Sequence, residues 1–320
     1  MDVLTATATA RAGLVGNPSD GYRGAVVAVP VDALVATVEV RDAERLEIVG
    51  PDVTGWPSVT ALLDDVARFG HEGGRRLVTA SIARLARVAT AAVDDRPFRL
   101  SWNTTIPRCV GLAGSSALVV ATLRALARRW RCALAPDDLA LLALEVERDE
   151  LDIPAGLQDR AVQAHGATVL VDTAADDGRP SITPLRGSRP IPLLVAWDAA
   201  AASPSQRYHR DLRARFDAGD PSVTAAMGDL AAAAREAARA VESGDEERLA
   251  ALVDATWRVR RSLGAVAPAQ ETLVDAAHHA GMRATSAGSG SSIVAVVDDA
   301  DRIATFTRHA PSASTTSAST

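Results

Sequence analysis

The 320-residue chain has no lysine: all 34 positions that count as Lys or Arg are arginine. Mechanisms that need a lysine amine are therefore excluded, whether a Schiff base or a nucleotide loop of the GxxxxGK[ST] type. Cysteine is almost absent. Cys109 and Cys132 are too few and too far apart for a disulfide framework, neither has the neighbours of a zinc site, and both read as buried thiols. No stretch reaches the roughly 18 apolar residues of a membrane span. The opening Met1-Asp2-Val3-Leu4 lacks the basic start and apolar core of an export signal, so the chain reads as cytoplasmic with no membrane partner. Positive charge is not in excess either. A net charge of -6 and a pI near 5.6 argue against sequence-independent attraction to phosphate backbones, and no nucleic-acid partner is expected.

What is present suits a soluble chain with a sizeable core: 48% of residues are hydrophobic and 23% charged, over a length that suggests about two domains. The stretch 174–189, rich in Asp, Gly, Arg, Ser and Pro, places a boundary near residue 178, giving domains at 1–178 and 179–309. Residues 310–320 are Ser, Thr and Ala with one Pro and are expected to be disordered. Alternation and turn residues predict strands at 5–10, 25–30, 34–40 and 45–49, then helices at 59–69 and 75–93 and a strand at 98–102. Helices over 115–130 and 136–151 follow, then a short helix and a strand at 167–172. The second half reads as strands at 181–185 and 192–197, four helices between 205 and 281, and two strands around a Gly/Ser loop.

The strongest chemical signal is Pro107-Arg108-Cys109-Val110-Gly111-Leu112-Ala113-Gly114-Ser115-Ser116-Ala117, which follows a strand and runs into a helix. Glycines there let backbone N–H groups turn toward an anion, and a helix N-terminus carries roughly half a positive charge, so a polyphosphate is the natural occupant. Taken alone, the same residues also describe an ordinary helix start after a loop. Glu145 and Glu147 come next. Two residues along a helix turn by about 200°, so at most one of them faces a site and the other is solvated. Asp159 lies beyond the break Pro154-Ala155-Gly156. Mg²⁺ takes one or two carboxylates plus substrate phosphates, and a kinase needs a carboxylate near the attacking hydroxyl. Two further segments, 11–20 and 286–292, are a polar turn after the first strand and a Gly/Ser loop that reads as a hairpin or as another close approach to phosphate. Trp257-Arg258-Val259-Arg260-Arg261 reads as a solvated basic face.

In this order, the four segments resemble the GHMP kinase superfamily across about residues 5–298, and within it the glucuronokinase branch. The resemblance rests on Gly16-Asn17-Pro18-Ser19-Asp20, Ile106-Pro107-Arg108, the 111–117 block and Ile153-Pro154-Ala155-Gly156-Leu157-Gln158-Asp159-Arg160. It implies an α+β fold of two domains, the N-terminal one ribosomal-protein-like and the C-terminal one ferredoxin-like, with ATP and acceptor between them. It also implies that Pro107, Gly111, Leu112, Ala113, Gly114, Ser115, Ser116 and Ala117 wrap the ATP phosphates, with Gly288, Ser289 and Gly290 adding to the nucleotide site. Ser116 and Glu147 would bind Mg²⁺, Asp159 would be the catalytic carboxylate and Arg11 its basic partner. Asn17 and Asp20 match positions that contact sugar hydroxyls. Arg108, Arg160 and Arg207 are the candidate cations for an acid group on the acceptor. The implied reaction is phosphorylation of the anomeric hydroxyl of a uronic acid, D-glucuronate first. A neutral sugar or other small alcohol, a catalytically silent sugar sensor and an ATP-dependent decarboxylase are the alternatives. The presence of Arg11, Ser116, Glu147 and Asp159 together favours the kinase.

Overall fold

The computed structural model describes residues 3–50, 52–89, 92–174, 179–201, 206–264, 266–297 and 299–320, and of residues 206–210 the backbone alone. The Thr/Ala alternation opens strand β1 (Leu4–Val15), with Ala6, Ala8 and Ala10 buried. It pairs antiparallel with β2 (Ala25–Asp42). The two strands expected at 25–30 and 34–40 are therefore one. A register shift between Thr9 and Ala10 absorbs the irregular residues between Val31 and Val35, so the turn-like Pro30 and Asp32 bend the strand without ending it.

The first half continues through β3 (Leu46–Val49), β4 (Val53–Trp56), α1 (Val59–Phe69), α2 (Arg76–Val88), β5 (Phe98–Thr104), α3 (Gly114–Arg129) and α4 (Pro136–Glu145). A π turn, Val146–Glu150, leads to α5 (Gln158–His165), β6 (Val169–Asp172) and β7 (Ser181–Pro184). These strands form one sheet in the order β4-β3-β5-β2-β6-β7, with β1 on β2. Helix α3 lies against β1 and β2 and is flanked by α2, α4 and α5. Its Arg124 does more than complement its own C-terminal end. The guanidinium donates to the Gln163 and Ala164 carbonyls at 2.6 and 2.7 Å, closing the last turn of α5. Both helices that border the site are thereby fixed to each other.

The second half runs β8 (Pro192–Trp197), α6 (Gln206–Asp217), α7 (Pro221–Ser243), α8 (Glu246–Ser262), α9 (Pro268–His279), β9 (Arg283–Ser286), β10 (Ser292–Val296), α10 (Ala300–His309) and β11 (Ser314–Ser319). Its sheet, in the order β11-β8-β10-β9, is antiparallel throughout and has the βαββαβ sequence of a ferredoxin-like unit. The expected disorder of residues 310–320 is thus corrected: Ser314–Ser319 is the fourth strand, in register with β8 from Trp197 to Pro192. Ladder hydrogen bonds belong to the backbone, so an edge strand of Ser, Thr and Ala can pair without a large apolar side chain. Helices α7 and α8 pack back onto the first half. One apolar cluster joins Leu14 and Val27 to Ala234 and Val253, and a second, around Trp257, Leu273 and Phe306, covers the far face of the ferredoxin-like sheet.

Candidate active site

The loop after β5 enters α3 through an unusual backbone. Cys109, Gly111 and Ala113 all have positive φ, at 59°, 89° and 60°. Left-handed non-glycine residues cost of the order of 1–3 kcal/mol each and persist where the surroundings over-determine them, which directs attention to this loop as a functional segment. Ala113 stands immediately before the helix, so the free N–H groups of the first turn of α3 have no side-chain cap from it. Along the loop the candidates divide sharply. Pro107 is half-buried and Arg108 exposed, Leu112 and Ala117 are buried in the core, and Ser115 is exposed at the helix start. Leu112 and Ala117 can therefore serve a phosphate only through their backbone. Cys109 is exposed, not the buried thiol the sequence suggests, because the loop turns it outward.

Four charged side chains alternate in sign beside this loop. Arg11, on β1, is buried and reaches Asp159 Oδ1 at 2.5 Å. It also donates to the Ala287 carbonyl at 2.5 Å, and its backbone N–H donates to the Leu112 carbonyl at 3.2 Å. Asp159, in the first turn of α5, takes a second contact from Arg160 at 3.2 Å. Arg160 also donates to the Gly156 carbonyl at 2.7 Å and to the Glu147 carboxylate, whose other oxygen accepts from Ser115 Oγ at 3.2 Å. The order is Arg11, Asp159, Arg160, Glu147, Ser115. Burial and the neighbouring Arg11 lower the Arg160 pKa to about 9.

The two glutamates separate as helical geometry requires. Glu147 is 1% exposed and faces the loop, whereas the Glu145 side chain is 43% exposed and pairs with Arg84 of α2 at 2.6 Å. Directly after Glu145 the chain widens into the π turn that carries Glu147, a local irregularity often found at functional sites. Arg84 and Arg87 hold its outer face through Asp149 and Glu150. Ser116 is a different matter. It is buried and its Oγ lies 3.5 Å from the Ala113 carbonyl, so in this arrangement the structure brings Ser115 to Glu147 and turns Ser116 into the helix.

On the far side of Asp159, Asn17 and Asp20 are buried together and joined by a residue that sequence reading quoted but gave no role. Gln158 Nε2 donates to Asn17 Oδ1 at 3.1 Å and to Asp20 Oδ1 at 3.0 Å, while its backbone N–H donates to Asp20 Oδ2 at 3.2 Å. Burial raises the Asp20 pKa to about 6, with Asp159 pushing the same way and the Gln158 N–H opposing. The Gln158 Oε1 atom is buried and accepts no hydrogen bond from the described residues. A hydroxyl arriving beside it would satisfy it.

The residue 286–291 loop is the hairpin between β9 and β10, and its glycines have a packing reason. A Cβ on Gly288 would lie 2.1 Å from the Gly111 carbonyl oxygen, and one on Gly111 would lie 2.5 Å from the Gly290 N. Gly288 and Gly290 thus let the two loops touch backbone to backbone, and only Ser289 of the three is partly open. Above them sits Arg260. Expected on a solvated face, it is buried, and donates to the Asn17 carbonyl at 3.2 Å and the Gly288 carbonyl at 3.4 Å. Burial, then Arg11, lowers its pKa to about 10. The helical spacing of 257–261 gives no sign of this, since the burial comes from the first half of the chain folding over α8. Arg207 lies in α6, but its side chain is outside the described residues.

Comparison with known proteins gives the family and the fold. Residues 76–167 match the family described as GHMP kinases N terminal domain, and residues 234–312 the family described as GHMP kinases C terminal. The chain belongs to the GHMP kinase superfamily, and it is an ATP-dependent small-molecule kinase. In an alignment of 305 positions that covers 89% of its length, it is 31% identical to Glucuronokinase 1 of Arabidopsis thaliana, covering 82% of that protein. It is 24% identical to the Mevalonate kinase of Thermococcus sibiricus, covering 92% of this chain and 90% of the relative. Among solved structures, the Methanococcus jannaschii mevalonate kinase superposes with a TM-score of 0.79 at 14% identity, over 99% of this chain and 98% of that one. Lactococcus lactis galactokinase complexed with galactose gives 0.78 at 17%, over 100% and 95%. At those identities the structures bear on the fold alone. Among the described residues, no helix is long and apolar enough to cross a membrane.

Proposed function

We propose that the chain transfers the γ-phosphoryl group of ATP to the anomeric hydroxyl of a hexuronic acid, D-glucuronate first, to give the sugar acid 1-phosphate and ADP. The observation that carries the chemistry is the Arg11–Asp159 pair set against the backbone of the 111–114 loop. The acceptor class is taken from the similarity to plant glucuronokinases over 89% of the chain. In this reading the N–H groups of the loop and of the first turn of α3 receive the phosphates. Asp159 accepts the hydrogen bond of the attacking hydroxyl, and Arg11 holds that carboxylate in place. The new bond joins the anomeric oxygen to the γ-phosphorus as the bond to the β–γ bridging oxygen breaks. The hydroxyl proton passes to Asp159 or to water. Asn17, Asp20 and Gln158 meet the other hydroxyls.

The donor set fits Mg²⁺. A buried carboxylate, Glu147, stands beside a hydroxyl, Ser115, with Ser116 next in line at the helix start, and Mg²⁺ is bound by one or two carboxylates plus substrate phosphates. When bound, the ion neutralises charge on the transferring phosphate oxygens. Glu147 with Ser115 or Ser116 would hold it.

A substrate carboxylate entering beside ATP needs a compensating cation. Arg160 is already paired with two protein carboxylates. Arg108, exposed on the loop, and Arg207 remain from the sequence candidates. Comparing kcat/KM for glucuronate, galacturonate, glucose and galactose tests the acceptor class. A hydrogen bond to a charged group is worth roughly 1.5–3 kcal/mol, so glucuronate is expected to exceed glucose by about tenfold or more. A neutral hexose preferred over both uronates would remove the uronate reading and leave the kinase.

A further inference from the structure

The carboxylate best suited to hold the metal is already occupied by the protein. Glu147 is buried, one oxygen against the Arg160 guanidinium and the other against Ser115 Oγ. Arg160 is equally enclosed. Its remaining contacts, to the Gly156 carbonyl at 2.7 Å and Asp159 Oδ2 at 3.2 Å, anchor the group independently of Glu147. A cation placed between two acids at low exposure supplies the charge compensation that buried carboxylates need. It does so on the carboxylate a metal would use, at Oε2, while Oε1 faces Ser115. Mg²⁺ demands near-octahedral oxygens at about 2.0–2.1 Å, and two cations held by one buried carboxylate repel each other, so the ion and the guanidinium compete for it.

We propose that Arg160 is a resident counter-cation that competes with Mg²⁺ for Glu147, and that loading the site exchanges the guanidinium for the ion there. Arg160 stays anchored by Asp159 and Gly156 during the exchange, so it is a positioning residue that sets the metal requirement. This rests on the assignment of Glu147 to the metal. The free enzyme then binds Mg²⁺ weakly, because the ion has to displace an existing pair, and nucleotide phosphates tip the exchange by adding oxygen ligands and negative charge.

The test is a titration of the full-length protein with Mg²⁺ alone, read by calorimetry and by melting temperature with and without chelator. Arg160→Gln is expected to bind Mg²⁺ about tenfold or more tightly than the unaltered protein, with a lower Tm in chelator that Mg²⁺ restores. A purely structural arginine would lower the Tm without tightening Mg²⁺ binding, and that result overturns the proposal. Should Arg160→Gln fail to fold even with Mg²⁺, Arg160→Lys decides. Lysine lacks the planar fork that spans both acids, so Mg²⁺ should bind about threefold or more tightly, and unchanged affinity overturns the proposal. Glu147→Gln distinguishes the two layers. Loss of Mg²⁺ binding with this change, but no tightening with Arg160→Gln, removes the exchange alone. Unchanged Mg²⁺ binding in Glu147→Gln removes the metal assignment and the exchange together.

Discussion

Asp159→Asn is expected to lower kcat by about 10² or more while leaving ATP affinity close to that of the unaltered enzyme. The two effects separate because they belong to different elements. ATP is assigned to the 111–114 backbone and the start of α3, whereas Asp159 stands in the first turn of α5, tied to Arg11 at 2.5 Å. Asparagine keeps the shape and loses the charge. It also replaces one acceptor oxygen by a donor, so the hydroxyl that the carboxylate orients loses its partner and Arg11 faces an N–H or a neutral oxygen. Steady-state kcat with an independent nucleotide-binding measurement reads both quantities. Near-normal turnover in a folded variant would end the catalytic assignment, and a matching loss of ATP affinity would place Asp159 in the nucleotide site.

Glu147→Gln is expected to raise the Mg²⁺ concentration for half-maximal activity by about tenfold or more and to lower kcat/KM for ATP by about 10², since it removes the one buried carboxylate at the loop. Glu145→Gln should change either value by no more than about twofold. Its pair with Arg84 is partly solvated, and pairs of that kind contribute roughly 0–1 kcal/mol. Breaking a buried ion pair by removing one partner costs about 3–5 kcal/mol, so Glu147→Gln, which takes away one of the two carboxylates paired with Arg160, should also lower the Tm. Titrations made well below that Tm isolate the metal effect. A larger defect from Glu145→Gln under matched Mg²⁺ would reverse the assignment of the two faces.

Much of the site is legible in the sequence because it is carried by local rules. The divergence of Glu145 and Glu147 follows from helix pitch, and Gly111 with Gly114 before an apolar helix marks the turn proposed to receive the phosphates. Contacts between distant segments are not legible. Arg160 follows Asp159 and should diverge from it by about 100°, yet a long arginine side chain reaches back to Asp159 and across to Glu147, a contact that depends on where the π turn places that acid. Arg260 looks solvated by its neighbours and is buried by Asn17 and Gly288, 243 and 28 positions away in sequence. Ser115 rather than Ser116 meets Glu147 because the first turn of α3 directs one hydroxyl outward and the other into its own backbone, a choice of side-chain rotation that composition does not show. In the fold, β11 escapes detection because hydrophobic periodicity is the signal being read, and a strand of Ser, Thr and Ala has almost none.

The central claim, phosphoryl transfer from ATP to the anomeric oxygen of a uronic acid, is tested most directly by identifying the product. The protein is incubated with ATP, Mg²⁺ and D-glucuronate and followed by phosphorus NMR. The account predicts stoichiometric ADP and a phosphate resonance coupled to the anomeric proton, both appearing about 10² or more times more slowly in Asp159→Asn. Release of inorganic phosphate without an ester, or an ester on any other sugar oxygen, would contradict it.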